Sequence, residues 1–253
     1  MNRAILYSLP LVLLAPASPV LAETPAFDRP GISFSTTTIP LGSFFFEQGL
    51  PDFQRSSDGG TKTTFYSVGT NLRIGLGEAV ELQVGTALFN HQKMETSGVS
   101  ESMNGRGDSS LAVKVALPSS SRTFSWAVLG SVAFATGEDP FTAGKPQYDL
   151  GTTLNFNVND RYSTAFYVNV TRFERENTYT LSPSLSFAVT DTVGAYVEAG
   201  ASYTAQGSDS AVAGGGITWM ATPVVQLDVS VDFGLNAKSP DVQGGFGISV
   251  FIE

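Results

Sequence analysis

Polar and apolar residues alternate one by one along most of this chain. From Val225 to Leu235 every second residue is apolar, and Gln, Asp, Ser, Asp and Gly stand between them. A two-residue period places all the polar side chains on one face of a β-strand, whereas a helix would distribute them around its circumference. No apolar run after residue 22 approaches the roughly 18 residues that a membrane helix needs. The sequence therefore predicts an all-β protein.

The same alternation recurs in about twelve segments. These are Phe44–Phe53, Tyr66–Leu76, Val80–Leu88, Ser109–Leu117, Phe124–Phe134, Leu150–Val158, Tyr162–Val170, Leu181–Val189, Val193–Ala201, Ala211–Trp219, Val225–Leu235 and Gly244–Ile252. Short turns such as 77–79 and 159–161 alternate with longer polar loops, 55–60, 92–106, 137–145, 206–210 and 236–240. Short periplasmic turns, longer outer loops and an even strand number are typical of bacterial outer-membrane barrels. We therefore predict a transmembrane antiparallel up-and-down β-barrel of about 12 strands over residues 42–253.

Composition and the placement of aromatic residues favour this barrel over a soluble β-sandwich, which also alternates. Charged residues make up 15% of the chain, against about 25% in a typical soluble domain. Aromatic residues on the apolar faces cluster near the strand ends. They are Phe124, Trp126, Tyr162 and Trp219 near the short turns, and Tyr66, Phe134, Tyr203 and Phe233 near the long loops. Such rings form the interfacial girdles of membrane barrels.

The N-terminus has the features of a secretory signal. Arg3 precedes the apolar stretch Ala4–Leu14, and Val20-Leu21-Ala22 offers the small residues that signal peptidase requires. We predict a cleaved signal peptide over 1–22 and a short periplasmic N-terminal arm over 23–41. The expected location is the outer membrane of a Gram-negative cell. Outer-membrane lipid and, during biogenesis, the barrel-assembly machinery are the expected partners.

The charge balance and the rarity of reactive side chains limit the chemistry. With 14 Lys and Arg against 23 Asp and Glu, the formal charge is −9, which argues against nucleic acid as a partner because phosphate binding needs a basic face. The chain has no cysteine and one histidine, His91, so we expect no metal site, no cofactor and no catalytic residue. A hydrolase would need a serine and an acid from neighbouring strands beside His91. A polar residue at the top of a strand is the simpler interpretation.

The polar faces of the strands predict the residues that line the pore. These are Arg73, Glu81, Lys114, Tyr167, Tyr196, Glu198, Asp228 and Asp232. Arg73, Glu81 and Lys114 fall on consecutive strands as a cluster with a positive excess, and the other three carboxylates form the opposite wall. Charged walls set ion selectivity, so this arrangement predicts a weak cation preference, unless the charges pair internally. Inward aromatic residues, namely Phe65, Phe89, Tyr167, Tyr196 and Phe251, would narrow the lumen or plug it.

Three stretches resemble a known bacterial family. They are Arg29-Pro30-Gly31, Gly105-Arg106-Gly107-Asp108 before the strand at 111–114, and the stretch from Gly214 to Asn236. They resemble the family called "putative MetA-pathway of phenol degradation", and the resemblance covers most of the mature chain. It implies an outer-membrane transporter-like barrel that is linked by name to the uptake of aromatic compounds.

The function expected from these features is a channel for the passive passage of small molecules, aromatic and hydrophobic ones included. One alternative is a non-conducting structural or adhesive barrel, which a closed lumen would favour. The other is a membrane-embedded hydrolase, for which a serine or aspartate within hydrogen-bond reach of His91 would be the minimum evidence.

Overall fold

Residues 26–205 and 209–253 are described in a computed structural model, and they form a closed antiparallel β-barrel. The strands are β1 (Phe44–Asp58), β2 (Thr61–Gly75), β3 (Val80–Thr96), β4 (Val99–Gly105), β5 (Ser109–Leu117), β6 (Phe124–Phe134), β7 (Gln147–Asn159), β8 (Tyr162–Phe173), β9 (Glu176–Ala188), β10 (Val193–Thr204), β11 (Ser210–Thr222), β12 (Val225–Gly234) and β13 (Val242–Ile252). Strand β1 pairs with both β2 and β13, which closes the sheet. Both β4 and β5 pair with β3, so these two segments share one of twelve strand positions. The predicted fold class is therefore confirmed. Within the described ranges, no helix is long and apolar enough to cross a membrane.

Burial confirms the predicted inner and outer faces. On β12, Asp228 and Asp232 are 5% and 6% exposed, whereas Val229 and Val231 are 36% and 39% exposed. Large exposed apolar residues recur around the barrel, among them Leu111, Leu150, Phe166, Leu181, Val197, Ile217 and Phe246. A closed sheet satisfies its backbone hydrogen bonds internally, so this apolar outer surface can contact lipid. The barrel therefore has the surface of an outer-membrane protein.

Two of the predicted outer loops are wrong, because the strands continue through them. β1 and β2 extend to a tight turn at Gly59 and Gly60, whose φ angles are +56° and +82°. β3 and β4 form a hairpin that turns at Ser97 and Gly98. Both turns use two residues with positive φ, which suits the twist of a hairpin. The polar side chains of these stretches suggested loops, but a strand that extends beyond the membrane can carry polar side chains on both faces. Loops 137–145 and 236–240 lie outside the strands, as predicted, and 206–208 lie outside the described residues.

Two register shifts reverse the inward and outward faces of a strand. Val68 pairs with Phe89 while Gly69 pairs with Ala87, so one extra residue in β3 brings Phe89 to the outer face, 47% exposed. The prediction that Phe89 points inward is therefore wrong. In β1 the register shifts between Gly49 and Asp52, and Asp52 then lies on the inner face. An inserted residue moves every following side chain to the other face of a strand.

The stretch from residue 26 to residue 39, here called the inner segment, lies inside the barrel instead of forming the expected periplasmic arm, and residues 40–43 join it to β1 at the short-turn end, where Leu41 is 73% exposed. Near the short-turn end, the ring of Phe27 stacks on that of Phe45 at a centroid distance of 4.5 Å. Farther in, the backbone N–H of Ile32 donates to Glu198 Oε2 at 2.9 Å. The segment then returns past Thr36, whose hydroxyl lies 2.7 Å from that of Ser125. The polar groups of the segment therefore bond to residues of the barrel wall, such as Glu198 and Ser125, which an arm in the periplasm would not contact. The predicted signal peptide lies outside the described residues.

We expect Val229→Arg to lower the free energy of unfolding by about 2–4 kcal/mol, the cost of arginine facing lipid near the midplane of a barrel. Ser230→Arg is the matched control. It introduces the same side chain one residue later, where Ser230 borders a polar cavity with Glu198 and Asp232, and it should cost far less. Urea unfolding in lipid vesicles, followed by tryptophan fluorescence, measures both. Equal losses would show that the assigned faces are wrong.

Candidate functional site: the inner segment and the charged lumen

Five charged side chains form a buried cluster, here called the basal cluster, toward the short-turn end of the lumen. Its members are Asp28, Glu47, Arg73, Glu81 and Lys114. Arg73 Nε lies 2.8 Å from Glu81 Oε1, and Arg73 Nη1 lies 2.9 Å from Glu47 Oε1. Lys114 Nζ lies 3.0 Å from Asp28 Oδ1 and 3.1 Å from Glu81 Oε1. Because the side chains of Arg73, Glu81 and Lys114 are fully buried, each charge needs these partners to offset its loss of hydration.

The basal cluster is negative overall, which corrects the positive excess expected from sequence. Arg73, Glu81 and Lys114 lie together as predicted, but Glu47 of β1 and Asp28 of the inner segment join them. Two cations therefore face three carboxylates. Asp28 also accepts hydrogen bonds from the backbone N–H of Ser35 at 2.8 Å and from Gln83 Nε2 at 2.9 Å. The start of the inner segment is thus fixed to the wall formed by β1, β2, β3 and β5.

Arg29 fixes the innermost part of this segment, here called the tip and comprising Arg29 to Ile32. Its guanidinium donates to both carboxylate oxygens of Asp52, at 3.1 and 2.9 Å, and to Asp228 Oδ1 at 3.2 Å. Such a two-pronged contact is the strongest form of arginine–carboxylate pairing. Gly247 leaves room for it, because a Cβ at that position would lie 2.3 Å from Arg29 Nε. A side chain on residue 247 would displace the guanidinium.

The predicted residues of the remaining wall also face the lumen. Glu198 accepts from Ile32, and Asp232 accepts from Gln243 Nε2 at 3.2 Å. The ring of Tyr167 meets that of Phe34 edge-on at 5.7 Å, and Tyr196 lies beside the tip. All eight predicted residues therefore lie on the inner face, although most of them contact the inner segment or each other. Sequence analysis missed four charged residues of the site, Asp28, Arg29, Glu47 and Asp52.

The tip separates two cavities of the lumen. A cavity of about 1210 Å³ opens toward the short turns between the inner segment and the wall from β7 to β11. A second cavity, of about 340 Å³, lies on the other side of the tip against β1, β2, β12 and β13. Arg29, Pro30, Gly31 and Glu198 border both. A third space, of about 420 Å³, lies along the inner faces of β2 and β3. A short piece of irregular backbone therefore stands between the two ends of the lumen.

The loop between β6 and β7 folds onto the break between β4 and β5. Asp108 accepts from the backbone N–H groups of Gly137 and Ala143, each at 2.8 Å. The pKa of Asp108 lies below its ordinary value. Burial alone would raise this pKa, but the hydrogen bonds from the N–H groups of Ala143 and Gly137 stabilise the charged form and outweigh burial. In the same loop, the ring of Phe141 lies 6.2 Å from that of Phe65, an inward residue of β2. The loop thus covers part of the outer mouth.

His91, the residue on which a hydrolase site would depend, lies away from the lumen. His91 lies on the outer side of β3, where its Nδ1 is 2.6 Å from Asn104 Oδ1 and its ring is 6.3 Å from that of Tyr66. Neither a serine nor an aspartate is hydrogen-bonded to His91 in the described part of the chain. Among the same residues, no group of three or more His, Cys, Asp or Glu side chains could hold a metal ion.

We expect Arg73→Met to lower the free energy of unfolding by about 3–5 kcal/mol, because it leaves three buried carboxylates with one cation. Lys93→Met is the control. It removes one cation from the exposed pair with Glu95, and exposed pairs contribute less than about 1 kcal/mol. Urea unfolding measures both variants. A loss for Arg73→Met as small as that of the control would mean that the basal cluster does not stabilise the barrel.

Solved structures share this fold. An outer membrane channel from Pseudomonas putida F1 matches with a TM-score of 0.65 and 10% identity, over 86% of this chain and 97% of that one. The NanC porin matches with a TM-score of 0.53 and 8% identity, over 83% and 99% of the two chains. The KdgM porin matches with a TM-score of 0.51 and 11% identity, over 83% and 98%. At such low identity the likeness shows the fold alone. No curated protein matches the sequence.

The resemblance noted in the sequence is confirmed by a family model that matches nearly the whole described chain. The match begins in the inner segment, next to Asp28, and extends to Phe251 in β13. It therefore includes the tip, the basal cluster and every strand. Over residues 27–251 the chain belongs to the family described as "Putative MetA-pathway of phenol degradation".

Proposed function

We propose that this protein is an outer-membrane channel for the passive passage of small molecules, and that the tip of the inner segment is the barrier in its lumen. One observation carries this proposal: the cavities on either side of the tip share Arg29, Pro30, Gly31 and Glu198 as a common wall. Displacement of a few residues would therefore connect the two ends of the barrel. The fold shared with an outer membrane channel and two porins supports the same function.

The anchoring of the inner segment allows its tip to move while its base stays in place. At the base, Asp28 pairs with Lys114 and Arg73, whose side chains are fully buried. At the tip, Arg29 is about one-fifth exposed and Asp52 about two-fifths exposed, whereas Asp228 is buried, so water can replace the contact with Asp52 as it breaks. Partly exposed ion pairs contribute less than buried ones. The tip is therefore the part of the segment that opens at the lowest cost in free energy.

The proposed solutes are small molecules with both polar and apolar parts, aromatic compounds included. The larger cavity combines Phe27 and Tyr196 with the hydroxyl groups of Ser184 and Ser186. Membership of a family named for phenol degradation supports the aromatic part of this proposal.

We further propose that the barrel catalyses no reaction, since His91 lies outside the lumen.

Arg29→Ala should increase single-channel conductance in a planar bilayer by about twofold or more, because it removes the contacts of the tip with Asp52 and Asp228. Gly247→Ala should act in the same direction by displacing the guanidinium. Arg55→Ala is the charge-matched control, since Arg55 is exposed on the outer extension of β1, and it should leave conductance unchanged. If none of the three substitutions changes the conductance, the tip is not the barrier. If none of the three variants conducts at all, the non-conducting alternative is favoured.

A reversible covalent link tests whether the rest of the inner segment stays in place while its tip moves. The hydroxyl oxygens of Thr36 and Ser125 lie 2.7 Å apart, so two cysteines at these positions can form a disulfide between the returning limb and β6. The chain has no cysteine of its own, so no other disulfide competes. Thr36 lies outside the tip, so oxidised Thr36→Cys/Ser125→Cys protein should conduct as well as the same protein after reduction. A lower conductance in the oxidised state would mean that the segment moves beyond its tip.

The open channel should prefer cations weakly. Four carboxylates border the tip, and Arg29 is their one cation within the described ranges; they are those of Asp52, Glu198, Asp228 and Asp232. Fixed carboxylates attract cations in a confined space. Asp232→Asn should reduce this preference without releasing the tip, because Asp232 does not contact Arg29. The reversal potential in a salt gradient measures the preference. Anion preference in the wild type would contradict the proposed role of these carboxylates.

A further inference from the structure

The cavity on the outer side of the tip, here called the outer cavity, has the composition of a cation site. Of the residues described, Asp52, Glu198 and Asp232 line it with Arg29 as the one cation, and Phe65, Gln54, Ser67, Ser230 and Gln243 complete its polar and aromatic walls. Its volume of about 340 Å³ is at the lower end of the range for small-molecule sites. Three carboxylates and one guanidinium leave the outer cavity with a negative excess.

Arg29 shows that this wall accepts an organic cation. Its planar guanidinium takes both oxygens of Asp52, one oxygen of Asp228 and the backbone carbonyl oxygen of Phe246 at 3.3 Å. Among the described residues, these contacts leave Glu198 and Asp232 without a cationic partner. Glu198 accepts a backbone N–H, and Asp232 accepts the amide of Gln243. A second cation therefore has two carboxylates within the same cavity.

Asp232 is the stronger indication of a ligand. Only 6% of Asp232 is exposed, and its Oδ1 has no hydrogen-bond partner among the described residues. A buried carboxylate oxygen without a donor costs free energy, because it has given up water and gained nothing in exchange. This oxygen is directed at Gly214, so a solute that brings a positively charged donor to Asp232 would recover the cost once the carboxylate turns toward the cavity. A neutral solute of the same shape would not recover it fully.

The shape of the outer cavity selects an organic ion over a metal ion. Carboxylates that hold a metal ion converge on one point, and those of the described residues form no such group. Phe65 lines the same cavity and has the ring of Phe141 6.2 Å away. Aromatic faces attract organic ammonium groups and also pack against apolar carbon. The walls thus offer charge to one end of a solute and an aromatic surface to the other.

We propose that the outer cavity binds small organic monocations, with the ammonium group toward Asp232 and Glu198 and the apolar body toward Phe65. The proposal rests on the proposed function in one respect, namely that a solute reaches this cavity through the outer mouth. It narrows the solute class from small molecules in general to those with a positive charge and a compact apolar or aromatic body.

The test is calorimetric titration of the detergent-solubilised barrel with benzylammonium, and with benzyl alcohol and benzoate as neutral and anionic probes of similar size. Benzylammonium should bind at least tenfold more tightly than either of the other two. Asp232→Asn should weaken its binding by about tenfold. Asp149→Asn is the matched control, because Asp149 lies on the inner face of β7, outside this cavity, and accepts from Thr171 and Ser131. It should change the affinity less than twofold.

Circular dichroism and heat-dependent gel mobility confirm that each variant is folded, and the comparison of probes on the wild type needs no variant. Equal affinity for benzylammonium and benzyl alcohol would overturn the proposal, as would equal effects of the two substitutions or no binding of benzylammonium at millimolar concentration. Binding does not require conduction. A barrel that binds benzylammonium but does not conduct would refute the proposed channel function and support the cation site. A barrel that conducts but does not bind benzylammonium would support the channel function and refute the cation site.

Discussion

Charges enclosed by the barrel need partners of opposite sign, and two adjacent residues of the inner segment supply such partners to two different walls. Asp28 reaches Lys114 and Arg73 on one side, while Arg29 reaches Asp52 and Asp228 on the other. Reversing this order would place a carboxylate against carboxylates and a guanidinium against cations. The Asp-Arg pair therefore fixes both the position and the direction of the segment. Burial makes this choice strict, because an unpaired charge in such a site costs several kcal/mol.

The fold and the inner face could be read from sequence because both depend on a local rule. A strand alternates every two residues wherever it lies, so the pattern around Asp228 and Asp232 indicated their orientation without any knowledge of the neighbouring strands. Glu47 follows the same rule and could have been assigned from the alternation with Phe45. Asp52 and Phe89 could not, since a single inserted residue reverses the faces beyond it. Nothing in a local pattern marks such an insertion.

The inner segment was beyond prediction for a different reason. Irregular backbone has no period, and its placement depends on partners far away in the chain, such as Glu198 for the N–H of Ile32. The one available signal was Arg29-Pro30-Gly31, which resembled a family motif. The stretch from Gly105 to Asp108 carried the same kind of resemblance, and it lies where the barrel wall is interrupted and the loop after β6 docks. These two family-like motifs thus lie at irregular positions, whereas the third, from Gly214 to Asn236, spans the regular strands β11 and β12.

The predicted pore-lining residues divide into two kinds once their accessibility is considered. A fixed charge acts on a passing ion only when the ion can approach it, because neighbouring charges of opposite sign and the surrounding dielectric weaken its field. Arg73, Glu81 and Lys114 are fully buried and paired with one another, so they hold the inner segment but meet no solute. Glu198 and Asp232 border a cavity and have no cationic partner in the part of the chain that the structure describes. We infer that stability comes from the basal cluster and selectivity from the wall beside the tip, so that a substitution in one place leaves the other property unchanged.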